Sequence, residues 1–277
     1  MTVVVTCLTH DYIVQAADRR LTNSNGTLYD DDTNKAVFYC GRVAVAYAGP
    51  AQIEGKPTAE WLALQMKDAS KIESAMNQVA QRADYHFKRR KGGHRKFIVV
   101  ATGWATLRGA QPPLPYVSVA SNFMTDSWEW EVSASERMVV RSKFLPKDSP
   151  FFVFAAEQSL TAQEEARLSN FVNRVIRSKE PAIPLARLLS DVVQSMAKGS
   201  DPRAKMVGKG MIIQLLSKKA IMGGYPMILC GLTPDANSFQ YVSSDGRTEP
   251  MQGPVIACDG QIVTGFECGS FPRGGKR

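Results

Sequence analysis

The chain is short of the residues that build disulfide frameworks and metal sites. Five cysteines occur in 277 residues, at Cys7, Cys40, Cys230, Cys258 and Cys268, and no two stand as C-x-x-C. An odd count without that spacing excludes a disulfide scaffold and reads as reduced, packing thiols. The three histidines, His10, His86 and His94, lack metal-ligand spacing, so no structural zinc is expected. No apolar run approaches the roughly 20 residues of a membrane span. The N-terminus has no basic stretch followed by an apolar one, so no secretory signal is expected. A phosphate loop of the form G-x-x-x-x-G-K-S/T is missing, and Gly223-Gly224 reads as a turn. No internal repeat is visible. These absences predict a cytoplasmic protein with no membrane segment and no cofactor.

What is present suits a sizeable core. Hydrophobic residues make up 44% and charged residues 22%, the balance of an ordinary globular chain. The net charge is +8, which favours acidic partners or a basic channel. The densest basic cluster is H-F-K-R-R-K-G-G-H-R-K, His86–Lys96. It falls at a predicted helix end, where cations complement the helix dipole. That setting favours a solvated terminus over a nucleic-acid site, whose mark would be steep salt dependence.

Hydrophobic periodicity orders the elements. Two β-rich runs, 2–8 and 12–17, flank a polar turn at Thr9-His10-Asp11. Residues 23–34 read as a loop. A second hairpin follows over 35–40 and 42–48, stopped by Gly49-Pro50. Residues 58–87 carry helical spacing with a break near Ala69-Ser70. Strands are expected at 97–101, 115–120, 128–141 and 150–155, with Trp128 and Trp130 alternating as on a half-buried strand. Helices follow at 161–178, where Thr161 and Glu164 form a capping-box pattern, and at 184–198. Strands return at 210–216 and 227–232. From about 233 the signals weaken, so the chain divides into a domain over 1–232 and a C-terminal extension over 233–277. Its last residues, Gly269–Arg277, are basic, Gly-rich and expected to be disordered.

The candidate chemistry lies in the first 50 residues. Thr2 follows the initiator methionine, and threonine is small enough for that methionine to be removed. The mature terminus would then carry an α-amine beside a hydroxyl, a base and a nucleophile in one residue. Asp18 ends an apolar strand, where a carboxylate needs a partner. Lys35 begins the third strand, and an ammonium near a threonine hydroxyl would stabilise an alkoxide-like oxygen. Gly49 ends the fourth, where a backbone N–H without a Cβ can approach a substrate oxygen. Taken singly, Asp18 is a turn cap, Lys35 a solvated strand start and Gly49 turn punctuation.

Taken together, T-V-V-V, I-V-Q-A-A-D-R-R-L-T, N-K and V-A-V-A-Y-A-G resemble the proteasome β-subunit family of N-terminal nucleophile hydrolases. Thr2 matches the nucleophile, Asp18, Arg20 and Thr22 the D-x-R-x-T positions, Lys35 the lysine, and Ala48-Gly49 the A-G pair. The segment between Asn23 and Asn34 absorbs one extra residue. The resemblance implies an α+β fold, a four-layer αββα sandwich, with a C-terminal extension. It implies a threonine-type endopeptidase acting on peptides or unfolded proteins in a homo-oligomeric ring, with an ATPase as a partner. Thr2 would attack the carbonyl, the Gly49 N–H would hold the oxyanion, and Arg20, Thr22 and Gly49 would bind substrate as an added strand.

Two departures bear on activity. Where the family has Gly-Ser-Gly before its third helix, this chain reads F-A-A-E-Q-S, Phe154–Ser159. Asp201 matches the family's aspartate after the fourth helix, but P-R-A-K-M-V-G-K-G follows it in place of Ser-Gly. The rival reading is therefore a catalytically silent, ring-forming interaction protein.

Overall fold

The opening apolar runs pair with each other. Val4–Thr9 (β1) and Tyr12–Asp18 (β2) form an antiparallel hairpin with Val4 opposite Ala17. Thr9 closes the turn, its hydroxyl donating to the Tyr12 carbonyl at 2.8 Å and accepting from the Tyr12 amide at 2.9 Å. The structure is a computed structural model. It describes residues 3–22, 27–31, 33, 35–40, 42–69, 71–89, 96–105, 113–156, 160–177, 182–208, 211–218, 227–231, 238–242, 248–252, 255–258 and 261–264; from 227 on, the description concerns backbone.

Leu21–Thr22 (β3) and Leu28–Asp30 (β4) make a short ribbon, and Ala36–Tyr39 (β5) and Val43–Ala48 (β6) make the second hairpin. A ribbon of Gln52–Ile53 (β7) and Lys56–Pro57 (β8) leads into helices Thr58–Met66 (α1) and Ile72–Lys88 (α2). Strands Ile98–Ala105 (β9), Leu114–Ser121 (β10), Val139–Phe144 (β11) and Phe151–Ala155 (β12) come next. Helices Ala162–Val175 (α3) and Ala182–Met196 (α4) precede a 3-10 turn, Pro202–Lys205. The strands Met211–Ser217 (β13), Met227–Gly231 (β14), Ser238–Val242 (β15), Thr248–Gln252 (β16), Val255–Cys258 (β17) and Gln261–Thr264 (β18) complete the order.

Two seven-stranded sheets result, β12-β1-β2-β13-β14-β17-β18 and β11-β10-β9-β6-β5-β15-β16. They stack face to face through β1, β2 and β13 against β6, β9 and β10, with α1 and α2 on one outer face and α3 and α4 on the other. The fold is thus a four-layer αββα sandwich. Three cores fill the three gaps. Leu8, Phe38, Val100, Phe123 and Leu216 lie between the sheets. Trp61, Leu62, Met76 and Phe87 pack under α1 and α2, and Leu168, Val172, Leu189 and Val193 under α3 and α4. Strands with apolar neighbours on both faces show continuous hydrophobic runs rather than alternation, which explains the V-V-V and V-A-V-A-Y-A stretches.

Buried glutamines lock the two sheets together. Gln15 donates across the gap to the Val100 carbonyl at 3.2 Å, and Gln214 to the Val45 carbonyl at 3.0 Å and to Gln15 Oε1 at 3.1 Å.

Three expectations change. The strand expected over 128–141 exists only as β11. Before it, Thr125 and Ser127 side chains bond to each other at 2.8 Å, and Thr125 Oγ1 receives the Glu129 amide at 3.1 Å, which captures the chain in a turn. Trp128 sits there at φ 68°, and it and Trp130 still pack against Phe154. The loop expected over 23–34 contains β4. The weak-signal segment after 233 supplies β15 to β18, which extend both sheets. The tail Gly269–Arg277 lies outside the described residues.

Candidate active site

Several strand termini converge at one end of the sandwich. Asp18 closes β2, opposite Met211 at the start of β13, while Lys35 precedes β5 and Gly49 follows β6. Asp18 and Lys35 have no exposed side-chain surface. The Lys35 ammonium lies 3.3 and 3.4 Å from the two Asp18 oxygens and also donates to the Arg20 carbonyl. A buried ion pair is tolerated only where its remaining hydrogen-bonding capacity is filled. Here Asp18 Oδ1 accepts the Val3 amide at 2.8 Å, and Oδ2 accepts the amides of Arg20 at 3.1 Å and Gly208 at 3.2 Å. Burial pushes the Lys35 ammonium below the ordinary lysine range, and the neighbouring Asp18 charge opposes that shift.

Val3 ties the beginning of the chain to this pair. Its amide donates to Asp18, and its carbonyl accepts the Asp18 amide at 3.1 Å. Thr2 itself lies outside the described residues, as does Ser159.

Gly49 has a φ of +147°, a region that favours glycine, and a Cβ there would lie 2.7 Å from Phe97 Cδ2 and 3.0 Å from the Lys96 carbonyl. Phe97 is held in turn by edge-on contacts with Tyr47, Trp61 and Phe87 and by its amide donating to Asn122 Oδ1 at 2.8 Å. The packing that holds Phe97 therefore leaves no room for a Cβ at residue 49.

The other expected residues occupy distinct places. The Arg20 side chain turns toward Asp31 and the Ala204 carbonyl. Thr22 lies in the β3–β4 ribbon opposite Leu28. Asp201 caps the 3-10 turn: its carboxylate accepts the Arg203 amide at 2.8 Å and the Arg203 guanidinium at 2.6 and 2.9 Å. Arg203 also grips Glu164, and this pulls the Glu164 carboxyl down to about 2. A cleft of about 640 Å³ opens between Arg20, Gly199, Ser200, Asp201, Pro202 and Lys205.

Gly208 escaped the sequence reading. It donates to Asp18 from 190 residues away, and a Cβ on it would lie 2.8 Å from Arg20 Cβ. The glycine in M-V-G-K-G was the only available signal. In the basic cluster, Arg89 lies over the Tyr85 ring at 3.9 Å and Lys96 over the Phe123 ring at 4.9 Å; residues 90–95 lie outside the described ones. Burial pushes the Cys7 thiol up to about 12, so it is no rival nucleophile. Among the described residues, no cluster of three His, Cys, Asp or Glu is placed to hold a metal, and no helix is long and apolar enough to cross a membrane.

A desolvated ammonium fixed by a carboxylate, beside the first strand and a glycine turn, can stabilise a developing oxyanion or exchange a proton. The αββα layer order is the one that the proteasome β-subunit resemblance implies. No protein-family model matches the sequence, and no curated protein does. Among solved structures, the chain is similar to a mutant of Anbu from Hyphomicrobium sp. strain MC1, at 12% identity over 85% of this chain and 88% of that one, with a TM-score of 0.47. It is similar to Anbu, described as an ancestral beta-subunit, from Yersinia bercovieri, at 9% identity over 85% and 88%, with a TM-score of 0.48. It is also similar to HslV from Trypanosoma brucei, at 10% identity over 78% and 99%, with a TM-score of 0.39.

Proposed function

We propose that this protein is a threonine-type amide hydrolase whose nucleophile is Thr2, exposed by removal of the methionine, acting on extended peptides in a homo-oligomeric ring in the cytoplasm. The observation that carries this reading is the bond from the Val3 amide to Asp18, which is itself paired with Lys35. The residue before Val3 is Thr2, and a trans peptide separates consecutive Cα atoms by about 3.8 Å. In this reading the Lys35 ammonium is the cation that lowers the cost of the Thr2 alkoxide. The Thr2 amine, or a water beside it, takes the proton as Oγ attacks the carbonyl. The Gly49 amide receives the oxyanion, the proton passes to the substrate's leaving nitrogen as its C–N bond breaks, and water hydrolyses the ester on Thr2.

The engagement of Asp201 by Arg203, which also grips Glu164, favours a second reading, a catalytically silent ring protein, because a carboxylate so held has less capacity left to support a terminal amine.

Intact-mass measurement before and after treatment with a peptide epoxyketone separates the two. The hydrolase reading expects loss of the methionine and one adduct, absent in Thr2→Ala. A retained methionine, or a processed chain that takes up no label, would sink it and leave the silent ring.

A further inference from the structure

The resemblance places Arg20 among the substrate-binding residues, yet its side chain is stapled inward. Nε and Nη2 grip Asp31 in a two-pronged pair at 2.6 and 2.9 Å, and Nη1 donates to the Ala204 carbonyl at 2.8 Å. The main chain of the same residue touches both members of the buried ion pair: its amide donates to Asp18 and its carbonyl accepts from Lys35. Gly208 closes the other side, packed so tightly that a Cβ would lie 2.8 Å from Arg20 Cβ and 3.2 Å from Asp31 Oδ1. The Thr33 amide donates to the Arg19 carbonyl at 3.2 Å, which holds the segment carrying Asp31 against the end of β2.

We propose that Asp31 is a positioning residue for Lys35: by clamping the Arg20 guanidinium it fixes the peptide groups of residue 20, which in turn hold the Lys35 ammonium and the Asp18 carboxylate in register. The role in turnover rests on the hydrolase reading above; the positioning itself does not. Two-pronged carboxylate–guanidinium pairs fix direction as well as distance, which a single bond would not do. The Asp31 side chain is 47% exposed and bonds to the site through the Arg20 guanidinium. The charged groups bearing on Lys35 are Asp18 and Asp31, which favour its ammonium form, and Arg20, which disfavours it.

The test reads Lys35 directly. Protein carrying 13Cε-lysine is titrated by NMR, the Lys35 signal being identified by its loss in Lys35→Met, and the rate of epoxyketone adduct formation on Thr2 is followed alongside. Asp31→Asn keeps the shape and breaks the two-pronged pair. It is expected to move the Lys35 midpoint down and to slow adduct formation about 10- to 100-fold, with the KM of a peptide substrate unchanged. Asp31→Glu is expected to recover most of the rate. Arg20→Lys keeps the charge without the fork, should match Asp31→Asn in rate, and stands in for it if that variant does not fold. An unchanged midpoint and rate in Asp31→Asn overturns the proposal. If the wild-type protein forms no adduct, the hydrolase reading fails by itself, and the Lys35 midpoint in Arg20→Lys, which keeps both charges and loses only the fork, decides the positioning: a downward shift supports it and an unchanged midpoint overturns it.

Discussion

Lys35 carries a charge into a place with no exposed side-chain surface, so its acceptors decide whether the fold tolerates it. Removing one member of such a pair strands the other. Lys35→Met is expected to destabilise the protein by about 3–5 kcal/mol. Combining it with Asp18→Asn leaves no buried charge and should recover a large part of that loss. Urea unfolding of both single variants and the double variant checks this; additive losses would show that the two groups do not act as a pair. At this scale much of the candidate site was legible. Asp18 at the end of an apolar run needs a partner, which is readable in one dimension, whereas Lys35 taken singly reads as a solvated strand start and stood out only as a counter-charge for Asp18 and through the motif resemblance. Gly208 and Asp31 were not legible. Gly208 acts through a backbone amide, which leaves only an ordinary glycine as its mark in the sequence, and Asp31 acts through a neighbour in a polar stretch where an aspartate is unremarkable.

Helix α3 shows the same division one level up. Its start is written in the sequence: the Thr161 hydroxyl accepts the Glu164 amide at 3.3 Å, and Glu164 returns to the Thr161 amide at 2.7 Å. Arg203, 39 residues on, adds a two-pronged grip on the same carboxylate. That grip holds the Glu164 carboxyl at about 2, well below its free value of 4.5. A depressed carboxyl contributes stability that is fully present above its unfolded value and lost as pH falls through the folded one. Glu164→Gln should therefore be less stable than wild type at pH 7, and the gap should close between about pH 4.5 and pH 2. Denaturant unfolding across that range measures it, and a gap independent of pH would assign the loss to the cap alone. The segment before β11 illustrates the opposite case. The alternating tryptophans of S-W-E-W-E mimic a strand, but local bonds among Thr125, Ser127 and Glu129 outcompete the sheet. The tryptophans reach the core from a turn instead.

For the molecule as a whole, β15–β16 cover β5 and β17–β18 cover β14. A chain ended at 232 would expose the ladders of β5 and β14 as open edges, and open edges recruit other chains. Size-exclusion chromatography should show such a chain aggregating; a monodisperse product with an unchanged Tm would show these strands to be dispensable. Hydrophobic period and capping chemistry are local properties, so the sequence by itself determined the hairpins, the broken α1–α2 helix, the α3 cap and the charged residues that end apolar strands. Pairing between distant strands is set by the packing of all the layers at once. Only the tertiary structure therefore decided that the C-terminal segment completes both sheets, that Gln15 and Gln214 bridge them, and that Gly208 and Asp31 meet at the Asp18–Lys35 pair. Each of these contacts joins groups whose individual residues are ordinary and whose meaning arises from what the fold places opposite them.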